Sequence, residues 1–82
     1  GNEMKQTASI TIYPNPSRNQ LFIKSSQGNI GQLKIYDLNG KLLYMESVKA
    51  AHTNVNLDSF APGVYIVELE KGTYRQKIIL TE

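Results

Sequence analysis

Apolar residues along this chain return at every second position far more often than at every third or fourth, the period of strands rather than helices. A first alternating run, Ala8, Ile10 and Ile12, stops at Pro14 and Pro16. Prolines spaced that closely lack the N–H groups a sheet ladder needs, so Tyr13-Pro14-Asn15-Pro16-Ser17 is predicted to be a rigid turn or a sheet-crossing segment. A second strand is predicted over residues 20–24, with Leu21 and Ile23 on one face, followed by a polar, glycine-containing loop over 25–31. A weak fifth strand covers 53–57, where Val55 and Leu57 alternate with Asn54 and Asn56, and 58–63 is a turn. The last two strands, 64–70 and 73–80, are joined through Lys71-Gly72. A two-residue loop there pairs Tyr65 with Ile78, Val67 with Gln76 and Leu69 with Tyr74, and sets Glu68 opposite Arg75 on the outer face.

The third and fourth strands form a hairpin around Asp37-Leu38-Asn39-Gly40-Lys41, where Asn-Gly is a strong turn signal. Two registers compete. A two-residue loop at Asn39-Gly40 puts Leu33 opposite Glu46 and Ile35 opposite Tyr44. A three-residue loop over 38–40 puts Ile35 opposite Leu43 and Leu33 opposite Met45, which keeps an apolar face intact. The second is the expected register, with Gly40 in a left-handed bulge position. Seven short strands with turns between them predict an all-β, seven-stranded antiparallel immunoglobulin-like β-sandwich, with a small barrel as the alternative.

At 82 residues the chain makes one small domain. Surface scaling gives about 63% of the unfolded surface buried on folding, enough for a thin core but not for a deep enclosed pocket. Without cysteine, neither a disulfide nor a thiolate metal site reinforces that core. The net charge of +2 comes from singly spread lysines. There is neither the clustered basic footprint of a nucleic-acid binder nor the basic amphipathic stretch of a membrane-surface helix. Apolar runs are too short to span a bilayer. Residues 1–7 are polar, with no secretory signal, and the start at Gly1-Asn2 without methionine is expected to mark an excised fragment.

Catalytic chemistry is not visible. His52 is the single histidine, so a two-histidine metal site cannot form within the chain, and it is expected in a loop. Ser47 or Ser59 with His52 and Asp58 would supply the residue types of a triad, but no nucleophile-elbow glycine pattern frames either serine. Glu68 and Glu70 are expected on one strand face with Arg75 and Lys77 nearby, a solvated surface. Asp37-Leu38-Asn39-Gly40 has the look of a calcium-loop fragment, but Lys41 stands at the next ligand position and no bidentate glutamate follows. Tyr65 and Tyr74 fit the core face, whereas Tyr36 has no clear partner.

The turn residues carry a resemblance. Ile12-Tyr13-Pro14-Asn15-Pro16 with Leu21-Phe22-Ile23 resembles the opening signature of type IX (Por) secretion system C-terminal sorting domains, type A members most closely. The stretch from Leu33 through Asp37-Leu38-Asn39-Gly40-Lys41 is similar to that family's central hairpin, and Ala61-Pro62-Gly63-Val64-Tyr65-Ile66-Val67 to its proline-glycine-tyrosine motif. Gly72 with Lys77-Ile78-Ile79 resembles its terminal motif, which closes the proteins of this family. Each motif alone is weakly specific, but four in order and spacing, from about Ile10 to Glu82, are strong.

The resemblance implies a sorting domain over 8–82 preceded by a polar linker remnant over 1–7. It also implies recognition positions at Tyr13, Pro14, Asn15, Pro16, Asn39, Gly40, Pro62, Gly63, Tyr65, Gly72, Lys77, Ile78 and Ile79, with no catalytic residue, metal or cofactor. The implied partners are the outer-membrane translocon, a shuttle protein and a sortase that cuts just before the domain. The cargo passes through the periplasm to the cell surface, where it is commonly joined to anionic lipopolysaccharide. The last strand, if it lies at a sheet edge, is expected to dock partners by strand addition, with Lys77 and Ile79 giving specificity, and to allow a homodimer through the same edge. An immunoglobulin-like spacer or adhesion module, or a retained domain of the secretion apparatus, are the other readings.

Overall fold

In the computed structural model, which describes residues 9–82, the period-two pattern resolves into seven strands. They are β1 (Ile10–Tyr13), β2 (Gln20–Ser25), β3 (Gly31–Asp37), β4 (Leu42–Val48), β5 (His52–Asn56), β6 (Gly63–Leu69) and β7 (Tyr74–Leu80). The expected linker over 1–7, and Ala8 of the first run, lie outside the described residues.

Neighbouring strands all run antiparallel, in a three-stranded sheet ordered β1-β2-β5 and a four-stranded sheet ordered β4-β3-β6-β7. This is the expected sandwich rather than the barrel, since each sheet keeps two edge strands. The fourth strand bonds to β3, whereas in a constant-type immunoglobulin domain it joins the sheet of the first two.

Each strand turns alternate residues inward. Leu21, Ile23, Leu33, Ile35, Val67 and Leu69 are fully buried, joined by Ile12, Val55, Ile78 and Leu80. Two loop residues complete the core. Ile30, the apolar residue of a stretch read as a polar loop, is fully buried with its N–H on Ala50 O at 2.8 Å. Leu57, just past β5, is buried with its N–H on Asn19 O at 2.9 Å.

The β6–β7 register is the expected one in every named pair, and Arg75 Nε stands 3.7 Å from Glu68 Oε2. Glu70 leaves the strand instead of continuing its face, opening a short 3-10 turn over Glu70–Gly72. The β3–β4 register requires correction. Leu33 faces Glu46 and Ile35 faces Tyr44, the arrangement not chosen from the sequence, while beyond Ile35 a shift brings Tyr36 to Leu42. The three-residue turn does form: Asp37 N–H donates to Lys41 O, and Gly40 has φ 88, a left-handed conformation that a side chain disfavours. Leu43 is the extra residue that resets the phase. Tyr44 then packs against the core, and Leu43 and Met45 face solvent, 40% and 54% exposed. At an edge strand this phase suits a tyrosine, whose ring covers the core while its hydroxyl reaches a polar partner. That partner is Glu46 Oε1, at 2.6 Å.

Truncating the centre of either sheet has a defined cost. Ile23→Ala or Leu33→Ala is expected to lose about 2–5 kcal/mol. That is a large share of the ~4–12 kcal/mol expected for a domain this size, and urea unfolding would measure it. The hydrogen bond to Glu46, with burial and the Glu46 charge, pushes the Tyr44 phenol up to about 12. An unfolded tyrosine titrates near ~10, so the stabilisation is complete below that pH and is lost as pH rises through the folded value. Between about pH 9 and about pH 12, the parent chain should therefore lose stability more steeply than Tyr44→Phe. Equal slopes in parallel urea titrations would contradict this.

Candidate functional site

The two prolines end β1, and the chain between them crosses from the three-stranded sheet to the end of β7 in the other. The peptide bonds before Pro14 and Pro16 are both cis. Between the prolines, Asn15 Nδ2 donates to Lys77 O at 3.3 Å, and Ile79 N–H donates to Asn15 Oδ1 at 3.0 Å. The crossing continues at Ser17, whose N–H donates to Ile79 O at 2.8 Å while its carbonyl accepts from Thr81 N–H at 2.7 Å. The Ser17 hydroxyl donates to Pro14 O, and the Thr81 hydroxyl to Ser17 O at 3.1 Å. Ser17 is 1% exposed, so its polar groups are satisfied inside this joint rather than by solvent. On the three-stranded side, Tyr13 stacks on Phe22 with ring centroids 5.5 Å apart.

The same end of the sandwich holds the turn into β6. Gly63 has φ 156, which a side chain would strain, and it pairs with Leu80. Tyr65, two residues into β6, turns its ring inward onto Phe60 in an edge-to-face contact and donates its hydroxyl to Ala61 O. This is a tyrosine corner, a device of immunoglobulin-like sandwiches that ties the turn before the sixth strand to the strand itself. It supplies the physical reason for tyrosine two residues after Pro62-Gly63. The Asn39-Gly40 turn lies at this end too, since Asp37 pairs with Tyr65. Asp37 Oδ1 organises that turn by accepting from Asn39 N–H at 2.8 Å and Lys41 N–H at 2.9 Å.

Of the residues singled out in the sequence, Tyr13, Pro14, Asn15, Pro16, Asn39, Gly40, Pro62, Gly63 and Tyr65 thus gather at one pole with the end of β7. Gly72 lies apart, in the 3-10 turn at the opposite pole. Ile78 is core, whereas Lys77 and Ile79 point outward from β7. Two polar members of the joint, Ser17 and Thr81, escape the sequence reading because their partners are 64 residues away.

β7 is an edge strand as expected, but its edge from Lys77 to Thr81 is not open: Asn15 and Ser17 occupy it. The expected strand addition through Lys77 and Ile79 therefore meets backbone groups already bonded.

The other chemistry disperses. His52 opens β5 instead of lying in a loop, and the length of that strand, about 13 Å, separates it from the turn holding Asp58 and Ser59. Tyr36 finds a partner in Glu68 Oε1, 3.1 Å from its hydroxyl. Among the described residues, no three histidine, aspartate or glutamate side chains converge as a metal site, and no helix is long and apolar enough to cross a membrane.

Comparison with known proteins gives three findings. Residues 11–81 match the family described as secretion system C-terminal sorting domain. The chain is 27% identical over 82 residues to ulvan lyase NLR42 of Nonlabens ulvanivorans, an alignment covering 95% of this chain and 15% of the lyase. It thus spans about a seventh of that relative's length. In structure it resembles part of PorZ, an essential bacterial surface component of the type IX secretion system of Porphyromonas gingivalis. The TM-score is 0.69 at 23% identity, over 89% of this chain and 11% of PorZ. That likeness establishes the fold.

Tyr65→Phe isolates the corner. It keeps the ring and leaves Ala61 O without the hydroxyl, so a loss of about 0.5–1.5 kcal/mol is expected in urea unfolding with the far-ultraviolet circular dichroism unchanged.

Proposed function

The chain belongs to the secretion system C-terminal sorting domain family, and from that membership we propose that it is the removable sorting module of a longer cargo protein. Sorting through the type IX system is the family's role, and the observation that carries it here is the match over residues 11–81, nearly the whole described sandwich. The domain is a signal, not a catalytic unit. In the proposed route the cargo crosses the periplasm and the outer-membrane translocon recognises the folded domain. A shuttle protein passes it to a surface sortase that cuts upstream of the sandwich, in the polar stretch over 1–7 or before it. A protease needs an extended, unpaired backbone, and a polar segment ahead of β1 supplies the composition for one. The freed cargo is then joined to anionic lipopolysaccharide. The recognition surface we favour is the pole where the motif residues meet the end of β7, because residues far apart in sequence are held there in one fixed arrangement.

A reporter assay tests this. Residues 1–82 fused to a periplasm-directed fluorescent protein, in a host with a type IX system, should bring the reporter to the cell surface. The upstream junction should be cut, and deletion of 77–82 should leave the fusion in the periplasm. Periplasmic retention of the intact, folded fusion would favour a spacer or adhesion module. Surface display without cleavage would favour a domain that stays attached, as in a component of the apparatus.

A further inference from the structure

A strand at a sheet edge presents a row of N–H and C=O groups that recruits further strands. On β7 the outward groups belong to Arg75, Lys77, Ile79 and Thr81, because Tyr74, Gln76, Ile78 and Leu80 alternate with them toward β6. The C-terminal part of this row is already bonded within the chain. Lys77 O and Ile79 N–H meet the Asn15 side-chain amide, and Ile79 O and Thr81 N–H meet the Ser17 backbone. Lys77 O can only accept and Ile79 N–H can only donate, so the amide must offer Nδ2 to one and Oδ1 to the other, as a peptide group would. A side chain thus extends toward Lys77 the ladder that the Ser17 backbone begins.

We propose that Asn15 and Ser17 form an intramolecular edge cap, a surrogate strand that prevents a second copy of this chain from adding to β7. The rest of the edge, the backbone of Arg75 and the N–H of Lys77, is guarded by charge. A two-fold antiparallel pairing centred on Gln76 would place Arg75 of one copy opposite Lys77 of the other, and one centred on Lys77 would oppose lysine to lysine. Both are destabilising. Centred on Ile78, the pairing sets Lys77 against Ile79, and the repulsion disappears. That register joins Lys77 O of one copy to Ile79 N–H of the other, and Asn15 holds both groups. Charge and cap together disfavour all three of these registers. The cap does not depend on the sorting role, because it concerns the isolated chain.

The test uses the 82-residue chain in Asn15→Ala and Asn15→Leu forms, followed by light scattering over micromolar to millimolar concentrations and by amide hydrogen exchange. The parent should stay monomeric throughout. Asn15→Ala should dimerise with concentration. The Ile79 amide of its monomer should exchange at least about tenfold faster, the fold-change of one lost hydrogen bond, while Val67 stays protected. Adding Ile79→Lys, which restores like charges across the Ile78-centred register, should return it to monomer. A monomeric Asn15→Ala chain overturns the proposal, and so does a dimer that survives Ile79→Lys. Should Asn15→Ala lose Val67 protection, Asn15→Leu, which keeps the side-chain bulk and carries neither donor nor acceptor, is read by the same outcomes.

Discussion

The two sheets are held together by one buried face on each strand, with no disulfide to reinforce them, so everything else depends on every strand keeping its phase. A one-residue slip would exchange the faces of a strand and empty part of a thin core. The devices at the ends of the strands hold that phase. The Leu43 bulge resets β4 so that Tyr44 covers the core. The Tyr65 hydroxyl on Ala61 sets where β6 begins, and Asp37 Oδ1 holds the turn between β3 and β4.

The last strand has the most to lose. One side of β7 is bonded to β6, and no strand flanks the other side. The crossing through Asn15 and Ser17 gives it a second set of partners and ties the first strand's exit to the last strand's end. Such a joint holds the last strand in place at both edges, by β6 on one side and by the proline crossing on the other. The motifs that identify the family thereby acquire physical reasons: prolines to leave one sheet, an asparagine to stand in for a peptide group, and a tyrosine to pin a turn.

The sandwich class, the strand positions, the β6–β7 register and the turn at Gly40 were legible in the sequence because each rests on a local signal: alternation, proline, Asn-Gly, or agreement between a face and a charge pair. The family resemblance was legible for the same reason, as its motifs are turn residues at fixed spacing. The β3–β4 register was not, because a bulge is one residue of phase that the alternation of Leu42 to Met45 does not reveal; packing at the sheet edge chose it. Ile30 in the core, the tyrosine corner, the Glu68 partner of Tyr36 and the closed edge of β7 were decided by the tertiary structure alone. Each is a contact between residues whose approach no local pattern encodes, and Asn15 reads along the chain as nothing more than the middle of a proline turn.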